Sequence, residues 1–209
     1  MYSRPTWEES FMYHAIIAAT RSSCLKRPVG ACLIRDKRII ASGYNGAPPN
    51  VTTCLETQDC RYERMAFENA NGSSENFKKL REEFKIYCNV IHAEKNAYNQ
   101  CSLHGPVARG AELFVTNFPC PSCVRDVIIP NKTKKVVVWK SYLRNKTLTH
   151  DEYTIATGDL RQAGIPVEFL DLSDDRIREI HSLVFLVGNR LPYEFDQNFV
   201  PIGQLKMAL

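Results

Sequence analysis

Residues 112–139 read ELFVTNFPCPSCVRDVIIPNKTKKVVVW and alternate between two kinds of pattern. Residues 112–116 and 135–139 are short runs of apolar and β-branched side chains, which favour strands. Residues 122–129, which lie between them, favour a helix. A strand, a helix and a second strand in this order are typical of an α/β fold, in which helices cover a sheet.

The same alternation extends over most of the chain. Two early runs, residues 29–34 and 38–44, are separated by a short polar turn and predict a β-hairpin. A last strand is predicted over residues 167–170. The predicted helices cover residues 6–23, 92–103, 151–162 and 174–187, with Thr6 as the N-cap of the first.

Composition and charge limit the class of protein. The 209 residues are 44% hydrophobic and 24% charged, which is typical of a globular protein with a core of its own. The net charge of +4 suits a small anionic substrate as well as a nucleic acid, and it does not distinguish between them. No apolar run reaches the ~20 residues of a membrane helix, and the N-terminus lacks the order of a signal peptide. These features predict a cytoplasmic protein rather than a secreted or membrane-spanning one.

A polar, irregular stretch interrupts the α/β pattern between residue 50 and about residue 87. We interpret it as an insertion with one helix, near residues 75–84. Three of the eight cysteines lie at its start, in its early part and at its end, namely Cys54, Cys60 and Cys88. In a chain without an export signal, cysteines favour metal ligands or buried thiols over a disulfide framework.

Two short motifs can carry chemistry: HAE at residues 92–94 and PCPSC at residues 119–123, each at the start of a predicted helix. Zinc accepts imidazole nitrogen and thiolate sulfur, and catalytic sites use three protein ligands and leave a fourth position for water. Cys120 and Cys123, three residues apart at a helix start, can reach one ion, and His92 would be the third ligand. Such an ion lowers the pKa of its bound water from 15.7 toward about 7.

Glu94, two residues after the histidine, would lie beside that water without binding the metal. A carboxyl group there can take a proton from the water and pass it on. The order H-x-E then P-C-x-x-C is the signature of zinc nucleobase deaminases. Taken alone, the two cysteines would also suit a redox pair or half of a structural zinc site. A structural site would need a fourth ligand and would leave Glu94 unexplained.

Five segments of the chain, in order, are similar to the deoxycytidylate (dCMP) deaminases of the cytidine-deaminase-like superfamily. They are SCLKRPVGA at residues 23–31, GYNGAP at 43–48, IHAEKNA at 91–97, VTNFPCPSC at 115–123 and VVVWKSY at 136–142. The two metal motifs specify only the superfamily. The loop at residues 43–48, together with the Cys24 region, points to the dCMP branch.

The resemblance implies a three-layer α/β/α cytidine-deaminase-like fold, with a mixed central sheet and helices on both faces. It implies a catalytic domain over residues 1–172, with the insertion at about 50–88, followed by a C-terminal helix and tail over 173–209. The implied reaction is hydrolysis of dCMP to dUMP and ammonia, which supplies dUMP for dTMP synthesis. Relatives also form hexamers and respond to dCTP and dTTP. We therefore expect a homohexamer, leave regulation open, and expect Mg²⁺ only with a triphosphate effector.

The resemblance also assigns roles to the residues of the two motifs. His92, Cys120 and Cys123 hold the catalytic zinc. Glu94 protonates N3 of the pyrimidine while hydroxide attacks C4, and then delivers a proton to the departing ammonia.

Four further residues are assigned to the substrate by the same resemblance. The backbones of Ala31 and Ala93 contact the base, Asn45 hydrogen-bonds to the sugar hydroxyl, and Tyr142 closes over the nucleotide. From the residues alone, Asn45 in an Asn-Gly pair favours a turn, and an aromatic residue such as Tyr142 at a strand end is often simply packing.

Candidate contacts to phosphate or effector are less specific. Lys26, Arg27 and Gly46 lie in or beside the segments that resemble the family. Basic residues such as Lys26 and Arg27 are more often part of a solvated face.

The resemblance further implies a second, structural zinc. In relatives, the ligands of this zinc lie at positions that correspond here to Cys24, Cys54, Cys60 and Cys88. Four cysteines are enough for a closed site, which would pin the insertion to the rest of the domain. The spacing is not that of a compact zinc finger, and four buried thiols are the alternative.

Three other functions compete with dCMP deamination. A deaminase of dCTP, or of both dCMP and dCTP, would share the scaffold and differ around the phosphates. A polynucleotide deaminase acting on tRNA or single-stranded DNA would need a basic stripe with exposed aromatic residues, which the short basic patches at residues 132–135 and 144–146 lack. A nucleotide sensor without turnover would have no need of Glu94.

Overall fold

The computed structural model describes residues 3–105, 107–140 and 148–188. Its helices are α1 (Trp7–Ala19), α2 (Cys54–Thr57), α3 (Arg61–Asn69), α4 (Ser74–Glu83), α5 (Ala93–His104), α6 (Pro121–Cys123), α7 (His150–Gln162) and α8 (Asp174–Gly188). Its strands are β1 (Gly30–Arg35), β2 (Arg38–Tyr44), β3 (Glu112–Val115), β4 (Lys135–Trp139) and β5 (Val167–Leu170). None of the helices in this part of the chain has the length and apolar character that crossing a membrane requires.

The five strands form one mixed sheet in the order β2-β1-β3-β4-β5. β1 is antiparallel to both of its neighbours, whereas β3, β4 and β5 run parallel. The register pairs Ala31 with Val115, and Val115 with Val138. The mixed sheet and the β-hairpin expected from the sequence are therefore confirmed.

Alternate side chains of the strands belong to two cores, one on each face of the sheet. On one face, Leu113 and Val136 pack with side chains of α5 and α7. On the other face, Phe114 and Val137 pack with side chains of α1 and with Ile180 of α8. Because successive side chains of a strand point to opposite faces, the short apolar strands support helices on both sides. This is the three-layer α/β/α arrangement that the resemblance implied.

Residues 50–88 are more helical than predicted. The expected helix is present as α4, but α2 and α3 precede it. A capping box begins α2: Thr53 Oγ1 accepts a hydrogen bond from Glu56 N at 3.1 Å, and the Glu56 carboxylate accepts one from Thr53 N at 2.7 Å. The polar composition of α3, which buries only Ala66, conceals it in the sequence. The prediction of an irregular segment with a single helix was wrong.

The C-terminal helix packs against the same body as the strands. Arg176 of α8 donates hydrogen bonds from Nε and Nη2 to the Glu9 carboxylate of α1, each at 2.9 Å. Glu9 also completes the capping box with Thr6, the predicted N-cap. The division of the chain at residue 172 stays a prediction, and the predicted tail from residue 189 lies outside the described residues.

Candidate active site

Both metal motifs lie at the N-terminal ends of helices. His92 is the N-cap residue of α5, and Cys120 is that of α6. Pro121 occupies the first position of α6. The backbone N–H at this position of a helix has no partner within the helix, so proline, which lacks it, is well suited there. After Cys123 the predicted α-helix is replaced by a π-helical turn, Val124–Ile128. Such turns occur frequently at functional sites.

The loop that carries Cys120 is anchored on both sides. Thr116 N donates to Gly30 O at 3.0 Å, and Gly30 N donates to Thr116 Oγ1 at 3.1 Å, which ties the end of β3 to the start of β1. Phe118 is buried, with its ring centroid 4.7 Å from that of Tyr153 on α7. The sheet and α7 therefore hold the loop before the first cysteine in place.

The three predicted ligands converge. His92 Nδ1 lies 3.3 Å from Cys120 Sγ and 3.3 Å from Cys123 Sγ, and the three ligand atoms all lie within 4.8 Å of one another. A tetrahedral zinc with ordinary bond lengths places such atoms about 3.5 Å apart, so the donor set fits this metal in chemistry and spacing. Cys123 is buried, Cys120 is half-buried and His92 is exposed, which leaves one side of the cluster open.

Hydrogen bonds among the three ligands shift their pKa values in opposite directions. Hydrogen bonds from Cys123 and His92 lower the pKa of the Cys120 thiol to about 3. The hydrogen bond with Cys120 in turn raises the pKa of His92 to about 9. Zinc binds thiolate sulfur and neutral imidazole, so a metal ion that binds here displaces the protons that these groups share.

Glu94 lies directly against this cluster. It is only 4% exposed, and its carboxyl group hydrogen-bonds with Cys123. Burial raises the pKa of Glu94, and the charge of His92 opposes that rise. A carboxyl whose pKa is raised toward neutrality can both accept and return a proton near neutral pH.

The two alanines assigned to the base lie near each other. Ala31 on β1 pairs in register with Gly43 on β2. Gly43 lies so close to α5 that an added Cβ would be 2.3 Å from the Ala93 carbonyl oxygen. Both alanines are fully buried, their backbone atoms included. That these atoms contact the base stays a prediction.

Asn45 is buried, and its carboxamide is hydrogen-bonded within the protein to Ser22, Val29 and Arg27. The backbone makes no turn at Asn45, which lies between the end of β2 and the bridge of Gly46 with Ile91, and the predicted sugar contact stays a prediction. Tyr142 lies outside the described residues.

The four cysteines assigned to a structural zinc come from three separate places and become neighbours. Burial, and after it the charges of Cys60, Cys24 and Cys88, raises the pKa of Cys54. Burial likewise raises the pKa of Cys60, to about 11. Their sulfurs are farther apart than those of the first cluster, which in the described part of the chain is the one set with metal-ligand spacing.

The candidate phosphate contacts are engaged within the protein. Lys26 forms an ion pair with Glu63 of α3, which also pairs with Arg81 of α4 at 2.8 Å. The Arg27 carbonyl accepts a hydrogen bond from Asn45. Gly46 exchanges two backbone hydrogen bonds with Ile91, of 3.1 and 2.8 Å. The Lys26–Glu63 pair connects the loop between α1 and β1 to the insertion, a link that the sequence did not indicate.

The structure also adds residues that the sequence reasoning missed. Lys95 pairs with Asp126 next to the metal cluster, and Ser22 hydrogen-bonds with the Asn45 side chain. A pattern did exist for the first pair, because Lys95 follows His92 by three residues and Asp126 follows Cys123 by three. Nothing local marks Ser22, since its partner is 23 residues away.

Proteins from a bacterium, a yeast and a phage are similar in sequence to this chain over much of its length. It is 31% identical over 172 residues to ComE operon protein 2 of Bacillus subtilis, which covers 82% of this chain and 75% of that protein. It is 30% identical to the deoxycytidylate deaminase of Saccharomyces cerevisiae, also over 82% of this chain, and spans about half of that protein, 47%. It is 36% identical to the deoxycytidylate deaminase of Mycobacterium phage D29, over 58% of this chain and 85% of that protein.

A solved structure and a family model agree with these relatives. The crystal structure of dCMP deaminase from the cyanophage S-TIM5 in complex with dCMP and dUMP matches with a TM-score of 0.54 and 25% identity, over 81% of this chain and all of that one. Residues 5–140 match the model of the cytidine and deoxycytidylate deaminase zinc-binding region, a span that contains both metal motifs. This chain therefore belongs to the cytidine and deoxycytidylate deaminase family.

Proposed function

We propose that the chain is a zinc-dependent deaminase that hydrolyses dCMP to dUMP and ammonia. The observation that carries this proposal is the convergence of His92, Cys120 and Cys123 with the buried carboxyl of Glu94. The curated relatives named deoxycytidylate deaminase, at 30% and 36% identity, support dCMP as the substrate.

The chemistry divides between the metal and one side chain. His92, Cys120 and Cys123 would hold the zinc ion, which would lower the pKa of a bound water molecule and make it nucleophilic. Glu94 takes a proton from the attacking water and places it on N3 while a bond forms between oxygen and C4. Glu94 then moves the remaining proton of that oxygen to the amino group, the C4–N bond breaks, and ammonia leaves. The N3 proton stays on the product, so one water is consumed per ammonia released.

The substrate contacts form the second part of the proposal. The backbones of Ala31 and Ala93 hold the base, Asn45 holds the sugar hydroxyl, and Tyr142 covers the nucleotide. The contacts proposed for Ala31 and Ala93 are supported by the position of Gly43, which lies between Ala31 and the start of α5.

A structural zinc on Cys24, Cys54, Cys60 and Cys88 is also proposed. Its support is that burial and mutual charge raise the pKa of Cys54, as expected when thiols from distant parts of the chain are brought together. A closed four-cysteine site releases these protons and contributes to folding of the segment it ties down.

Assembly and regulation complete the proposal. We propose a cytoplasmic homohexamer that binds dCTP or dTTP, with Mg²⁺ as the partner of the triphosphate. The candidate effector contacts are Lys26, Arg27 and Gly46. Kinetics that do not change with added dCTP or dTTP would remove the effector site, and mass measurement in solution tests the hexamer.

The deciding experiment compares ammonia release from cytidine, deoxycytidine, CMP, dCMP, dCTP and a short single-stranded DNA, each with and without dCTP plus magnesium. Turnover confined to dCMP supports the proposal. Turnover of both dCMP and dCTP would favour the dual deaminase, and turnover of the oligonucleotide alone would favour a polynucleotide enzyme. A Glu94→Gln variant run in parallel distinguishes deamination at this site from a contaminating activity.

A further inference from the structure

The Asn45 carboxamide has four hydrogen-bonding positions, two lone pairs on Oδ1 and two N–H groups on Nδ2. Oδ1 accepts from Ser22 Oγ at 2.7 Å and from Val29 N at 2.8 Å. Nδ2 donates one hydrogen bond to the Arg27 carbonyl at 2.7 Å. Three of the four positions are therefore occupied by the protein, and one N–H group remains.

These partners determine which way the amide points. A rotated amide would direct its NH₂ group at the Val29 N–H and its oxygen at the Arg27 carbonyl, so that like groups would face each other. Ser22 Oγ lies 2.7 Å from Asn45 Oδ1 and 2.9 Å from the Asn45 backbone oxygen, so its hydroxyl holds the carboxamide close to the backbone of the same residue. The Ser22 oxygen is itself held by the N–H of Cys24 at 3.1 Å. The one remaining position of Asn45 is consequently a donor.

The residues on both sides of Asn45 have anchors that do not involve Ser22. Asn96 of α5 donates to the Tyr44 carbonyl at 2.8 Å, and Gly46 pairs with Ile91, next to the metal ligand His92. Loss of the Ser22 hydroxyl therefore removes one of the three hydrogen bonds that hold the Asn45 carboxamide, while Val29 and Arg27 keep theirs and the metal cluster keeps its geometry.

We propose that Ser22 is a positioning residue that orients Asn45 so that its free Nδ2 hydrogen donates to a hydroxyl oxygen on the deoxyribose. The proposal rests on the proposed function for the identity of the nucleotide. It makes Asn45 a donor to the substrate and assigns to Ser22 a role in binding rather than in the chemical step.

The test uses a substrate that lacks the recognised hydroxyl. Ammonia release from dCMP and from 2′,3′-dideoxycytidine monophosphate is measured for the wild type, Ser22→Ala, Ser22→Thr, Asn45→Ala and the Ser22→Ala/Asn45→Ala double variant. A single uncharged hydrogen bond corresponds to a preference for dCMP of roughly 2- to 13-fold in kcat/KM. Ser22→Ala should lose most of this preference through a higher KM for dCMP with little change in kcat.

Two comparisons distinguish positioning from loss of stability. Ser22→Thr keeps a hydroxyl and should restore the preference, and the double variant should be no worse than Asn45→Ala alone. Ser102→Ala is the matched control, because it removes a hydroxyl that donates a hydrogen bond to the Tyr98 carbonyl within α5. It should leave both the preference for dCMP and the KM unchanged.

The outcomes separate the two proposals. An unchanged preference in Ser22→Ala, or additive losses in the double variant, would overturn the role of Ser22 while dCMP turnover by the wild type upholds the function. If the wild type turns over none of the nucleotides, both proposals fail.

Discussion

Lys95 and Asp126 form an ion pair that joins the two segments carrying the metal ligands, with Nζ 2.8 Å from Oδ2. Lys95 lies about one turn after His92 on α5, and Asp126 lies in the π-helical turn that follows Cys123. The hydrogen bond with Asp126 raises the pKa of Lys95, and the nearby Cys123 adds to the rise. The pair therefore ties the segment that follows His92 to the segment that follows Cys123, and its two charges cancel each other beside the metal ligands.

Asp126→Asn should weaken zinc binding by about twofold to fivefold, since a partly exposed ion pair contributes up to about 1 kcal/mol. The dissociation constant is measured by competition with a chelator at low and high salt, and the difference should shrink at high salt. Asp175→Asn breaks a comparable pair with Arg178 on α8 and serves as the control. Equal affinities of Asp126→Asn and the wild type would refute this role.

Glu94→Gln should reduce kcat by roughly 10²- to 10⁴-fold, the usual contribution of a general acid–base group. The amide has nearly the same shape but cannot take a proton from water. Zinc content should stay at the wild-type value, because Glu94 is not a ligand. The measurement is steady-state turnover together with metal analysis of the same sample, and a variant as active as the wild type would exclude the proton role.

Metal analysis should find two zinc ions per chain. Cys54→Ser should remove only the structural ion and lower the melting temperature, whereas Cys120→Ser should remove only the catalytic ion and abolish turnover. The reason for the difference is that the two sets share no ligand. One ion per chain that Cys54→Ser leaves unchanged would rule out the structural zinc.

The Glu9–Arg176 pair should make the free energy of unfolding depend on pH in the acidic range. The hydrogen bond with Arg176 is the main cause that lowers the pKa of Glu9 in the folded protein. The contribution of Glu9 is therefore present above the pKa of an unfolded glutamate and is lost as the pH falls through the lower folded value.

Glu9→Gln, which can still complete the capping box, should lower the free energy of unfolding by about 1–2 kcal/mol at neutral pH. The difference from the wild type should shrink as the pH is lowered to about 3.5, below the ordinary glutamate range. Urea denaturation at several pH values measures it. A difference that stays constant with pH would show that the charge of Glu9 does not matter.

Gly43→Ala should destabilise the protein by about 1–3 kcal/mol and reduce activity as well. Its new Cβ would lie 2.3 Å from the Ala93 oxygen and 2.4 Å from the Ala97 nitrogen, so α5 would have to move away from β2 and take Glu94 with it. Gly158→Ala in α7 meets nothing within 4 Å and should stabilise the protein by about 0.5–1 kcal/mol. Thermal unfolding and dCMP turnover of the two variants provide the comparison.

The sequence by itself determined the features that depend on local pattern. Short apolar runs predicted β1, β3 and β4, because a strand buried on both faces needs apolar side chains at nearly every position. Residues 92–94 and 119–123 identified the metal ligands and Glu94, because zinc requires particular donor atoms at particular helix positions. Thr6 marked the start of α1 through its capping chemistry.

Only the tertiary structure decided what depends on residues distant in the chain. The strand order and the Ser22–Asn45 hydrogen bond leave no mark in any one segment, and the matching positions of Lys95 and Asp126 after the metal ligands do not show that the two residues meet. Asp126 meets Lys95 because α5 and the π-helical turn lie side by side, and Ser22 meets Asn45 because β1 and β2 fold back on each other. Such contacts are set by the packing of the sheet and its helices, in which each element is placed by partners far away in sequence.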